Sequence, residues 1–205
     1  MLTKKLTGAM ALSAALVAGS ALAEGTFKTD QGHTEILFSW DHVGITIQSG
    51  EFEKAEGTLV VADDIEKSSI EVVIDTNSVS SGFEALDDHL KTADFLDVEK
   101  YPEITFKSTS VKMTGDTTMD VTGDLTIHGV TNEVVLDAEM TLNGPHPLGE
   151  RIEYYQGDWV AIKASTEIDH MAFDVGAFST GPITCLLYTS PSPRDLSTSR
   201  MPSSA

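Results

Sequence analysis

The densest group of chemistry-bearing side chains lies in "LDDHLKTADFLD", residues 86–97, where Asp87, Asp88, Asp94 and Asp97 surround His89. Carboxylates beside an imidazole can pass protons, orient a water or hold a cation. Together with His128, Asp87 and His89 would supply the groups of a hydrolase. Spacing speaks against that use. On a helix Asp87 and Lys91 stand four residues apart and form a surface ion pair. Asp88 and Asp94 project elsewhere, so the carboxylates do not converge through local geometry. The six histidines, His33, His42, His89, His128, His146 and His170, include no pair at a spacing of two, three or four, the spacings that bring two imidazoles to one metal. G-x-S-x-G, Walker A, H-E-x-x-H and C-x-x-C patterns are all missing. No catalytic residue, no metal and no cofactor is expected.

The elements that would carry these residues are mostly strands. In "HTEILFSWDH", Thr34, Ile36, Phe38, Trp40 and His42 share one face. The same alternation aligns Ile70, Val72 and Ile74; Ile104 and Phe106; Met119, Val121, Leu125 and Ile127; Val134, Leu136, Ala138, Met140 and Leu142; and Val160, Ile162, Ala164, Thr166 and Ile168. Period-two patterning with turn signals between the runs predicts antiparallel strands with one apolar face, closed as a barrel or stacked as a sandwich. One segment departs. From Ser81 to Asp97, Leu86, Leu90 and Ala93 recur at helical spacing, and Ser81 with Glu84 fits a capping box. Tyr101-Pro102 returns the chain to extended geometry.

The ends read differently from the middle. Residues 1–23 carry Lys4 and Lys5, then a short apolar run, then Ala21-Leu22-Ala23. That pattern is an export signal cut after Ala23, too short in its apolar part for a membrane span. The expected location is periplasmic or secreted. Residues 185–205 are rich in serine and proline and have no period, which predicts a disordered tail, one foreign to the native protein. The single cysteine, Cys185, leaves no disulfide within the chain. A net charge of −19 opposes nucleic acid and anionic membrane surfaces. It favours a monomer or a dimer, with no stable membrane insertion.

Four stretches resemble one family. "TDQGHTEILFSWDHVGI", "VVIDTNSVSSG", "DDHLKTADFLDVEKYPEITFKS" and "VTGDLTIHGVTNEVVL" are similar, in order, to the motifs of the YceI-like proteins. The resemblance runs from about Phe27 to Thr184. It implies an all-β fold: an extended, lipocalin-like, eight-stranded antiparallel β-barrel over residues 24–184, with the helical insertion at 81–97. It also implies a long apolar interior that holds a polyisoprenoid lipid, such as a polyprenyl chain or the tail of an isoprenoid quinone. An envelope scaffold linked to stress is the alternative. Parity then selects Ile36, Phe38, Trp40, Ile74, Ile104, Phe106, Leu125, Ile127, Leu136, Met140 and Ile162 as lining, with Ile70, Val72, Val121 and Ile168 beside them. His42, Asp87 and His89 are the expected headgroup contacts at the mouth. Two departures bear on the headgroup. Leu86 and His170 stand where the family often has arginine, which favours an uncharged headgroup. The closing strand begins at "GPIT" and then meets the tail, so the barrel is expected to lack most of its last strand.

Overall fold

The computed structural model describes residues 24–42, 44–176 and 183–189. The expected signal segment and residues 190–205 lie outside the described residues. The alternating runs become strands β1 (Gly25–Lys28), β2 (Thr34–His42), β3 (Thr46–Phe52), β4 (Ala55–Val61), β5 (Ser69–Asp75) and β6 (Val79–Ser80). After helix α1 (Glu84–Leu90) come β7 (Glu103–Met113), β8 (Thr118–Ile127), β9 (Val130–Pro145), β10 (Asp158–Ile168) and β11 (Ile183–Thr189). All pairings among them are antiparallel, in the order β1-β4-β5-β7-β8-β9-β10-β11-β2-β3-β6.

These eleven strands reduce to eight rods. β1 and β2 face β4 and β3 in nearly one register, with Gly25 opposite Val61 and Ile36 opposite Phe52. β5 and β6 face β4 and β3 in the same way, Ile74 opposite Ala55 and Ser80 opposite Glu51. Each of β1/β2, β3/β4 and β5/β6 is therefore one rod with an irregularity in its middle. With β7 to β11 they form a closed circuit of pairing, since β11 joins both β10 and β2. Pairing through β11 covers edges that an open sheet would expose there, while β1 and β6, each with one partner, stand at the ends of the strand order.

Two expectations need correction. The strand β11 runs to Thr189, so the first five residues of the expected tail, from Cys185, are paired strand. The closing strand is present, because the apolar run continues past "GPIT" through Leu186 and Leu187. The capping box at Ser81 and Glu84 does not form either. Phe83 is the N-cap residue of α1 and supplies no side-chain bond. Ser81 turns instead to Asp87, its backbone N–H and hydroxyl donating to Oδ1 at 2.6 and 2.5 Å.

The helical excursion between β5 and β7 is stapled where it begins and ends. Thr76, 1% exposed, donates its hydroxyl to the Tyr101 carbonyl at 2.8 Å, and its N–H to that of Pro102 at 3.0 Å. Leu90 and Leu96 are buried, and the Leu96 N–H donates to the Leu90 carbonyl. The excursion thus folds its apolar side onto one end of the barrel. The buried core it joins includes Ile36, Val72, Ile104, Phe106, Leu125, Ala138 and Ala164.

Candidate ligand-binding chambers

The barrel interior holds space at each end. One chamber, about 410 Å³, lies beneath the helical excursion. Its walls include Ile36, Phe38, Trp40, Ile74, Ile104, Phe106, Leu125, Ile127 and Leu136, and Leu86, Leu90, Phe95, Leu96, Phe173 and Val175 close it over. These strand residues come from the inward parity of their strands, and Leu37 and Ser165, of the opposite parity, add to the lining. Two of the rings also shape the space. Phe38 lies across Gly50 on β3, where a Cβ would stand 2.6 Å from its Cζ. Phe106 lies across Gly123 on β8, where a Cβ would stand 2.5 Å away. Glycine opposite a large ring lets that ring lie flat against the sheet. Phe38 also stacks on Trp40 at 5.7 Å and meets Phe52 at 5.3 Å, forming an aromatic wall.

The mouth of this chamber is marked by the exposed residues Asp41, His42 and His89. His89 sits edge-on to Phe95 at 4.9 Å, with Asp94 at 4.0 Å. His170, 3% exposed, forms part of the wall and hydrogen-bonds the Val175 carbonyl through Nδ1 at 2.5 Å. The arginine expected at that position is thus replaced by an imidazole built into the wall. No lysine or arginine lines the chamber among the described residues.

Asp87 is the exception to the expected mouth. It does not line the chamber, because its carboxylate faces back to Ser81. Hydrogen bonds from the Ser81 hydroxyl and N–H hold that carboxyl below its ordinary pKa, with the Lys91 charge a weaker help. The expected ion pair with Lys91 gives way to this loop closure. The proposed hydrolytic set is dispersed as well. His128 packs on Tyr101 at 4.5 Å, in the tight turn between β8 and β9. Asp87, His89 and His128 each serve a different local contact. Among the described residues no group of three or more His, Cys, Asp or Glu could hold a metal ion.

Met140 and Ile162 also lie outside this chamber. They line a void of about 40 Å³ at the barrel's waist, with Val121, Ala138 and Ala164. Ala138 and Ala164 are direct partners across β9 and β10, so the waist is walled there by two methyl groups. The void shares Leu136 and Ala164 with the apolar chamber. It shares Leu59, Ile70 and Ile162 with a second chamber at the other end.

That second chamber, about 520 Å³, has a different character. Its rim combines Asp30, Gln31 and His33 on the turn after β1, His146 and Tyr154 on the loop between β9 and β10, and Trp159 at the start of β10. Asp30 accepts from His33 Nδ1 at 2.6 Å. Burial works against ionisation of Asp30, but hydrogen bonds from His33, Tyr154 and the Gly32 N–H outweigh it and hold its pKa below the ordinary value. Tyr154 is held above its ordinary pKa chiefly by donating to Asp30. Tyr155 stacks on His146 at 4.1 Å and 11°, and Trp159 tilts against both at 5.5 and 5.3 Å.

Parity reasoning missed this chamber. It placed Val160 inward and so left Trp159 to solvent. A β-bulge between Ala161 and Ile162 lets both face the interior and sets Trp159 opposite Gly144, on the chamber wall. The signal available in the sequence was the aromatic run Tyr154, Tyr155 and Trp159 in an otherwise loop-like stretch.

Comparison with known proteins agrees with this architecture. The crystal structure of Burkholderia cenocepacia BcnA superposes with a TM-score of 0.66 at 20% identity, covering 78% of this chain and 97% of that one. A polyisoprenoid binding domain from Saccharophagus degradans superposes with a TM-score of 0.56 at 15% identity, covering 82% and 100%. A UPF0312 protein of Vibrio parahaemolyticus is 34% identical over 167 residues, 81% of this chain and 85% of that protein. One from Pseudomonas syringae pv. tomato is 42% identical over 149 residues, 71% and 78%. Residues 27–187 match the YceI-like domain, including the first three residues of the segment expected to be tail. This chain belongs to the YceI-like family.

Proposed function

We propose that this protein binds a polyisoprenoid lipid in the apolar chamber and acts as a carrier in the periplasm, by binding rather than by catalysis. The observation that carries the reading is the lining: aliphatic and aromatic side chains from seven strands and the helical excursion, with polar groups concentrated at the mouth. Such a wall offers a hydrocarbon about 0.8 kcal/mol per buried CH₂. About ten such groups offset the ~8 kcal/mol of micromolar binding, before the cost of ordering the chain. Ile36, Phe38, Trp40, Ile74, Ile104, Phe106, Leu125, Ile127 and Leu136 contact the lipid chain in this reading. Met140 and Ile162 contact it only where it reaches the waist. His42 and His89 stand where the chain passes the mouth. Among the described residues no lysine or arginine lines the chamber, which with the net charge of −19 favours a lipid without phosphate. The family resemblance and the polyisoprenoid binding domain of similar fold support the same ligand class. Among the described residues no helix is long and apolar enough to cross a membrane.

The test is native mass spectrometry of the full chain purified from a membrane-rich host, followed by organic extraction. Co-purified isoprenoid lipid, or saturable binding of a fluorescent prenyl probe, is the expected result. Neither lipid nor probe binding would overturn the reading.

A further inference from the structure

The two chambers differ in what they can recognise, and the difference assigns an end to each part of a ligand. The order of contacts along the rods places them at opposite ends. β10 contributes Trp159 to one and Ile168 to the other; β5 contributes Ile70 to one and Ile74 to the other. The apolar chamber offers surface but few fixed hydrogen-bonding groups. The other offers both. The rings of His146, Tyr154 and Trp159 line it, and Tyr155 stacks on His146 to hold that imidazole in place. The Asp30–His33 pair stands beside them, and the Tyr155 hydroxyl is 3.4 Å from His33 Nε2, long for a hydrogen bond. A hydroxyl or carbonyl on a bound ring can enter that gap with less loss than at a short, saturated bond. Two carboxylates against one lysine disfavour a phosphate at the rim. Asp30 and Asp158 are acidic, and Lys28 already donates to the Thr58 hydroxyl at 2.6 Å.

We propose that the chamber lined by His146, Tyr154 and Trp159 is a binding site for an uncharged, oxygen-bearing aromatic or quinonoid ring. That ring is the headgroup of the lipid whose tail fills the apolar chamber. This rests on the carrier reading and reverses the expected polarity, which put the headgroup at His42 and His89. The waist carries the connection. Val72 lines both chambers, the 40 Å³ void shares walls with both, and the small neighbouring Ala138 and Ala164 keep the β9–β10 wall low there for a thin hydrocarbon chain. Ring stacking and two oriented polar groups set the specificity, and the tail supplies most of the affinity.

The chain's two tryptophans report one chamber each, Trp40 the apolar and Trp159 the aromatic. In Trp40→Phe and Trp159→Phe variants of the full chain the remaining tryptophan is titrated with three probes: a tailless benzoquinone, a prenol without a ring, and a benzoquinone with an isoprenoid tail. The tailless quinone is expected to quench Trp159 and leave Trp40 bright. The prenol is expected to shift Trp40 emission. The tailed quinone is expected to do both, at lower concentration than the tailless one. Tyr154→Leu and, as a second variant, His146→Ala should weaken tailless quinone binding tenfold or more without changing prenol binding. Quenching of Trp40 with Trp159 unaffected places the ring at the other end and overturns this proposal, leaving the carrier reading intact. A prenol that moves neither tryptophan overturns the carrier reading, while Trp159 quenching by the tailless quinone would leave a ring site standing alone.

Discussion

The two ends of the barrel are built by opposite means. The apolar chamber is made by regular strands, so its wall follows from period-two patterning, and its cover packs on it as buried core. The aromatic chamber is made by a bulge, a turn and a loop, and its groups hold one another by stacking and hydrogen bonds near solvent. The contrast teaches where stability and where recognition reside. Side chains such as Phe106, 6% exposed, belong at once to the fold's core and to the chamber wall. His146 lines the other chamber, and Tyr155 stacks on it.

The sharpest way to break this comparison is to truncate one ring at each end. Phe106→Ala removes a buried ring that lies over Gly123, and should cost about 3–5 kcal/mol in urea unfolding, as large core aromatics do. Tyr155→Ala removes a half-buried ring from stacking contacts worth about 1 kcal/mol. Equal losses at the two ends would show that the aromatic loop is part of the cooperative core.

The next effect is at the waist. Ala164→Phe drives a ring toward Ala138 across the β9–β10 pair, and should cost about 1–3 kcal/mol by overpacking. Its functional signature separates the chambers: tailed quinone should lose the advantage over tailless quinone that it has in the parent protein. An unchanged ratio of the two affinities would show that the chain does not pass the waist.

How much of this could be read in advance follows from the same contrast. The apolar chamber was legible because β2, β5, β7, β8 and β9 keep strict alternation where they line it, so that Phe38, Ile74 and Leu125 could be assigned by counting. Closure into eight rods was legible only through the family resemblance, since alternation alone fits a sandwich as well. Asp87 was misplaced because spacing along a helix cannot see a backbone N–H behind the helix start, and Ser81 N–H lies there. Met140 and Ile162 share the right face but the wrong height, a coordinate that parity does not carry. Trp159 was lost because the bulge between Ala161 and Ile162 shifts the assignments before it on β10, while those after it hold. The closing strand was undervalued because the composition of the tail beyond it coloured the reading of Cys185 to Thr189.

A smaller effect concerns the mouth. Ser81→Ala removes one of the two donors that hold Asp87, while the backbone N–H remains. The excursion should open more often without unfolding the barrel. Amide exchange is expected to speed at Leu90 and Leu96, with β7 and β8 unchanged. Uniform acceleration through β7 and β8 would mean that the excursion and the barrel unfold as one unit.

The smallest expected effect lies at the other end, where acid should loosen the aromatic chamber. Asp30 gains from His33, Tyr154 and Gly32 more than burial takes away, so its folded pKa lies below that of the unfolded chain. The folded form therefore binds fewer protons at this site, and the stabilisation is complete above about pH 4. It is lost as pH falls further, through the depressed folded value. Asp30→Asn should lower stability at neutral pH and flatten the fall below about pH 4. Solvent screens this partly exposed group, so the change is small beside that at Phe106. Urea midpoints of the two proteins between pH 7 and pH 3 provide the check. Converging curves on acidification are expected, and parallel curves would show that the Asp30–His33 pair orients the chamber without contributing to its stability.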